Sequence, residues 1–129
     1  MHRFRGPILC LFLLSACASG APRSSGEQRY DARVITADEV SESPARNAFE
    51  LVQLLRPAWL QKKGAYSFGD DGDIVVYLDD VRMGGPDALR QIEVSALTGV
   101  RFLDAVSAQA RFGLSHAHGA IQVISRRSR

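Results

Sequence analysis

Beyond residue 29, short apolar runs of two different periods alternate along the chain. Ala32-Arg33-Val34-Ile35 reads as a short strand, and Thr36 follows it with Glu39 three positions on, the pairing of a capping box, which predicts the start of a helical turn. Ser43 offers an N-cap with Pro44 at the first helical position. Ala45, Ala48, Phe49, Val52 and Leu55 then recur at helical spacing, which predicts the main amphipathic helix, ended near Arg56 by Pro57. Trp59 and Leu60 are expected to cover one edge of the core ahead of a Lys62-Lys63-Gly64 loop.

The period then shortens. Asp73-Ile74-Val75-Val76-Tyr77-Leu78 is rich in strand formers, Asp79-Asp80 supplies a turn, and Val81-Arg82-Met83 follows at once, so a hairpin is expected. Gly84-Gly85-Pro86 opens a short helix from Pro86 to Ile92. Val100-Arg101-Phe102-Leu103 is a further strand, Ala105 to Phe112 a further helix closed by Gly113, and Ala120-Ile121-Gln122-Val123-Ile124 a last strand. Strands and short helices interleave, so the predicted class is α+β, α/β-like, with a small mixed sheet.

The N-terminus follows another logic. Arg3 and Arg5 precede the apolar run Ile8-Leu9-Cys10-Leu11-Phe12-Leu13-Leu14 and the small pair Ser15-Ala16, the three-part layout of a secretory signal. The run is far short of the roughly 20 residues that a permanent membrane helix needs, so a cleaved signal over residues 1–16 is expected. Leu14-Ser15-Ala16-Cys17 resembles the lipobox of bacterial lipoproteins, in which a branched apolar residue and two small residues precede an acylated cysteine. That resemblance implies a lipid, palmitate-type anchor on the Cys17 sulfur. Ala18 lacks the aspartate that such proteins use for inner-membrane retention, so the implied location is the outer membrane, facing the periplasm. Residues 17–29 then form the acylated cysteine and a Ser/Gly/Pro-rich tether, residues 30–126 one domain, and residues 127–129 a basic tail.

Charge changes meaning once the signal is set apart. Without Arg3 and Arg5 the sixteen basic residues fall to fourteen, level with the fourteen acidic ones, so nothing points to nucleic acid as a partner. Cys10 leaves with the signal and Cys17 carries lipid, so no disulfide is expected and a hydrophobic core must hold the domain.

Val76-Tyr77-Leu78-Asp79-Asp80-Val81-Arg82-Met83-Gly84-Gly85, followed by Asp87-Ala88-Leu89-Arg90-Gln91-Ile92, resembles the hairpin and helix of the plug domain of TonB-dependent outer-membrane receptors. The same family has counterparts to Val34-Ile35-Thr36-Ala37-Asp38-Glu39-Val40, to Val100-Arg101-Phe102-Leu103-Asp104-Ala105, to Ala108-Gln109-Ala110-Arg111-Phe112-Gly113 and to Gly119-Ala120-Ile121-Gln122-Val123-Ile124. The resemblance covers most of residues 32–125 and implies a plug-like fold. The chain departs from it in several places. Asp80 stands where the family's turn carries glycine, Asp104-Ala105 stands where receptors have Gly-Pro, and His116-Ala117-His118 fills a loop that is small and glycine-rich there. No segment of the tether resembles the box that contacts the TonB protein. No run of barrel strands follows the last strand, so the expectation is a plug without its barrel, and transport activity is not carried over.

Candidate chemistry is sparse. His116 and His118 would share a face if extended, a spacing that can bind a transition metal, but two ligands are too few and a solvated loop is the simpler expectation. Asp70-Asp71-Gly72-Asp73 lacks the closing glutamate of a calcium loop and reads as a polar turn. Asp79-Asp80 reads as turn chemistry rather than a catalytic dyad, and Ser115 beside His116 is no nucleophile and base pair on sequence alone. The expected function is therefore that of a lipid-anchored, periplasm-facing binding module without catalysis or cofactor. Its expected partners are the membrane lipid, through acylated Cys17, and an outer-membrane or periplasmic protein. The alternative is a small metal-dependent or hydrolytic enzyme using His116 and His118.

Overall fold

The computed structural model describes residues 30–62 and 72–126. The signal, Cys17, the tether, Lys63-Gly64, Asp70-Asp71 and the tail 127–129 lie outside the described residues.

Strand β1 (Val34–Ile35) leads into helix α1 (Ala37–Glu42), which starts on the expected capping box: the Glu39 N–H donates to the Thr36 hydroxyl and the Thr36 N–H donates to the Glu39 carboxylate, 2.9 Å. Helix α2 is Ala48–Leu55, and the 3-10 helix Pro57–Leu60 follows the Pro57 break. The hairpin is β2 (Val75–Leu78) and β3 (Val81–Gly84). Two 3-10 helices, Pro86–Gln91 and Val94–Ala96, precede β4 (Leu97–Leu103), and helix α3 (Ala105–Phe112) leads to β5 (Ala120–Ser125).

The strands form one mixed sheet in the order β1-β4-β5-β2-β3, with β5 parallel to β2 and the remaining neighbours antiparallel. The last strand thus lies at the centre. Side chains alternate across a strand, which sorts the apolar residues into two layers. Val76, Val100, Ile121 and Val123 face α2 and the 3-10 helices, where Ile35, Leu51, Val52, Trp59, Leu89 and Leu97 complete the larger core. Val75, Tyr77 and Ala120 face the other way, onto Ala108, Leu103 and Phe112.

The main helix begins later than its Ser43-Pro44 signal predicts. Ser43 instead accepts the Ala45 N–H in a local turn, and the backbone of the next residues is taken by a distant segment: the Val94 N–H donates to Arg46 O at 3.0 Å, the Ala48 N–H to Ile92 O at 2.8 Å, and Asn47 bridges Glu93. Asn47 is the actual N-cap, its side chain accepting the Glu50 N–H at 2.9 Å. The buried face also differs in part from the expected one. Leu51 is fully buried, whereas Phe49 is half-buried beneath the Arg90 guanidinium, 3.7 Å from the ring centroid.

Arg56, the C-cap of α2, is a cation in this core, 7% exposed. Its Nη2 donates to Glu39 Oε1 at 2.9 Å and to Val34 O at 3.0 Å, its Nη1 donates to Leu55 O at 3.1 Å, and the Tyr30 ring stacks on its guanidinium. One side chain thereby fastens α2 to both β1 and α1. Burial alone would raise the Glu39 carboxyl, but the Thr36 N–H and the Arg56 guanidinium outweigh it and hold it below its ordinary value of 4.5.

Two outcomes follow. Leu51→Ala should cost about 2–5 kcal/mol in urea unfolding, and Phe49→Ala clearly less because its ring is only partly removed from water; the reverse order would contradict the packing described. Because the Glu39 carboxyl is depressed in the folded state, its contribution is present above pH 4.5 and is lost as pH falls below it. Stability measured against pH should therefore decline less steeply on this acid side in Glu39→Gln than in the wild type, and parallel curves would remove the ion pair from the account.

Candidate functional site

The second face of the sheet carries the polar residues. The strand registers place Val34, Arg101, Gln122, Tyr77 and Arg82 in one row across all five strands. Helix α3 covers only part of this face. It starts at Asp104, the N-cap, whose carboxylate accepts the Ser107 N–H at 2.9 Å and pairs with Arg33 at 3.0 Å. The Ser107 hydrogen bonds first, and Arg33 in addition, hold the Asp104 carboxyl below the usual aspartate range.

Beyond the C-terminal end of α3 the sheet is open, leaving a cleft of about 210 Å³ lined by Asp79, Asp80, Arg101, Arg111, Gln122 and Ile124. Gln122 is a buried amide in an otherwise apolar central strand, and it donates to Asp79 O at 2.7 Å. Asp79 takes the positive φ of the hairpin turn, +54°, which aspartate tolerates better than most side chains. Asp80 does not share it, so the turn is not the type I′ form that needs positive φ at both central residues. The Asp79 carboxylate accepts the Ser125 N–H at 3.0 Å and the Ser125 hydroxyl at 2.6 Å, and the Asp79 N–H donates to Val123 O at 2.7 Å. Asp80 pairs with Arg111 at 2.9 Å. The two carboxylates therefore have separate partners and clasp the hairpin to β5 and α3; they do not converge on a common point.

The histidine loop differs from the solvated spacer expected. Three residues of this segment have positive φ, Gly113, Ser115 and Gly119, and the chain curls so tightly that His116 turns inward and is 4% exposed. A side chain at Gly119 would collide with the Leu103 carbonyl, which makes glycine obligatory there. His116 Nδ1 lies 2.8 Å from Gly113 O, an acceptor only, so Nδ1 carries the proton and donates. His116 Nε2 lies 2.9 Å from the Tyr77 hydroxyl, which in the neutral ring donates to it. Tyr77 itself stacks on Phe112, with centroids 3.7 Å apart and planes 6° from parallel.

Both ring nitrogens of His116 are thus used inside the fold, and neither is turned to the Ser115 hydroxyl or paired with His118 for a metal. Among the described residues no group of three or more His, Cys, Asp or Glu side chains is placed to hold a metal ion. Asp73 pairs with Lys62 at 3.0 Å. Sequence reasoning missed the joint role of Tyr77, His116 and Phe112, and that of Gln122. The one signal for Gln122 was an amide inside an apolar strand.

Removing the His116 ring would leave the buried Tyr77 hydroxyl without its partner. His116→Ala should therefore lower stability by about 1–3 kcal/mol, and part of that loss should vanish in a Tyr77→Phe background. A double-mutant cycle in urea measures the coupling, and additive losses would show that the two side chains do not support each other. Comparison of the chain with family models, with curated proteins and with solved structures finds no match.

Proposed function

We propose that the chain is exported, acylated at Cys17 and held on the periplasmic face of the outer membrane, where its plug-like domain binds a partner by surface recognition rather than turning over a substrate. The observation that carries this reading is the succession of Arg3 and Arg5, an apolar run ending at Leu14, and Ser15-Ala16-Cys17. A thiol is needed at that position because the diacylglycerol is taken up as a thioether, and small residues before it let the extended backbone enter a peptidase cleft.

The domain supports the same reading in two ways. The motifs that resemble the receptor plug fall on β1 with α1, on the hairpin with the 3-10 helix after it, on β4, on α3 and on β5, as regular elements of one domain. Among the described residues, His116 and Asp79 are engaged in structural fastenings, the His116–Tyr77 pair and the Asp79 clasp, rather than being turned toward a neighbouring nucleophile. Several acyl chains, at about 0.8 kcal/mol for each buried methylene, would hold such a domain firmly at the membrane, where a single chain would hold it only marginally.

Cys17→Ser removes the one sulfur that this scheme uses. Cells labelled with radioactive palmitate should incorporate label into the wild-type protein and none into the variant, and the variant should lose the wild type's partitioning into the detergent phase. Label in the serine variant would defeat the proposal.

A further inference from the structure

Among the described residues there are eight arginines, and Arg33, Arg56, Arg90 and Arg111 each have a carboxylate within 4.0 Å. Arg46, Arg82, Arg101 and Arg126 have none among the described residues. Two of these, Arg46 and Arg126, line the same cleft, about 470 Å³ in volume, between the C-terminal end of α1 and the Val94–Ala96 turn. That volume lies within the range of about 300–1,000 Å³ usual for small-ligand sites.

The backbones of both arginines are fastened to this turn. Arg46 O accepts the Val94 N–H at 3.0 Å, and the Arg126 N–H donates to Ala96 O at 2.8 Å, so the two side chains rise from fixed points on either side of one segment. Two carboxylates close to these segments each accept a hydrogen bond through one oxygen. Glu50 accepts the backbone N–H of Arg46 at 2.9 Å, and Glu93, on the cleft wall, accepts the Ser95 hydroxyl at 3.3 Å. Ser43, which also lines the cleft, accepts the Ala45 N–H at 3.2 Å through Oγ and keeps its hydroxyl proton for another acceptor.

We propose that this cleft binds a phosphate monoester. Two guanidinium forks and a hydroxyl donor suit a tetrahedral anion whose several oxygens each accept hydrogen bonds, and Arg holds such groups through paired, charge-assisted contacts. Glu93 adds an acceptor beside the anion site, which selects an ester whose carbon portion bears a hydroxyl group, such as a phosphorylated polyol or sugar, over bare phosphate. The same chemistry is presented by a soluble ester and by the phosphorylated headgroup of a lipid. The proposal does not depend on acylation at Cys17.

The test is calorimetric titration of the purified full chain, in micelles of an uncharged detergent, with glycerol 3-phosphate and with inorganic phosphate. Saturable one-to-one binding is expected, tighter for glycerol 3-phosphate. The Arg46→Gln, Arg126→Gln double variant should bind about tenfold more weakly or worse, with an unchanged melting temperature because neither guanidinium makes a bond within the described fold. Arg46→Lys, which keeps the charge and loses the fork, should weaken binding less than Arg46→Gln does. Arg82→Gln, on the edge strand β3, should leave binding unchanged. Micelles doped with phosphatidic acid separate the two sources: competition with glycerol 3-phosphate supports a lipid headgroup, and its absence supports a soluble ester. No saturable binding of either probe, or equal weakening by Arg82→Gln, overturns the proposal.

Discussion

Everything in this domain is arranged around the two-sided burial of β5. Ala120, Ile121, Gln122 and Val123 are all buried, so neither face of that strand can be left to water. A strand buried on both sides needs a layer on each face of the sheet. Here α2 and the 3-10 helices supply one and α3 with its following loop supplies the other. The smaller second layer explains the division of labour between the two faces. The first is a continuous apolar core, while the second is apolar only beneath α3 and becomes polar where the helix ends, at Gln122, Asp79 and Arg111.

Buried or half-buried polar groups recur where elements distant in sequence must be brought together. Arg56 joins α2 to β1 and α1, Asp79 joins the hairpin turn to the end of β5, and His116 joins the loop after α3 to β2. Each contributes modest net energy, since folding exchanges hydrogen bonds with water for these, yet each becomes costly if the fold misregisters and leaves it unpaired. Their effect is to make one packing of short elements much better than its neighbours. Short elements need this, because a two-residue strand such as β1 specifies little by itself.

What could be read from the sequence was local. The Thr36–Glu39 box, the Pro57 break, the Ala105–Phe112 helix and its Gly113 stop depend on neighbours within a turn or two, and all of them stand in the structure. The start of α2 was misread because the Ser43-Pro44 signal is also local, while the backbone that overrides it belongs to residues 92–94. Asn47 becomes the N-cap because that tertiary pairing holds the preceding backbone out of the helix. The packing of α2 also puts Leu51 in the core and Phe49 at its rim beneath Arg90. His116 was misjudged for a similar reason: a histidine in a polar loop looks solvated until positive φ at Ser115 and the Tyr77 hydroxyl turn it inward. The arginine-lined cleft was invisible beforehand, since Arg46 and Arg126 stand at opposite ends of the domain's sequence and meet only through the turn at 93–96.

The position of β5 also bears on how such a chain is made and moved. Synthesis proceeds from the N-terminus, so β1, the hairpin and β4 are all complete while the strand that must lie between β4 and β2 is still missing. Until it arrives, β2 and β4 have no common neighbour, the sheet is in two pieces, and long-range pairing of this kind closes slowly. A polypeptide built in this order stays open during its own translation. Under the export proposed above, that delay would suit passage through a narrow secretion channel, which admits an extended chain and not a finished sheet.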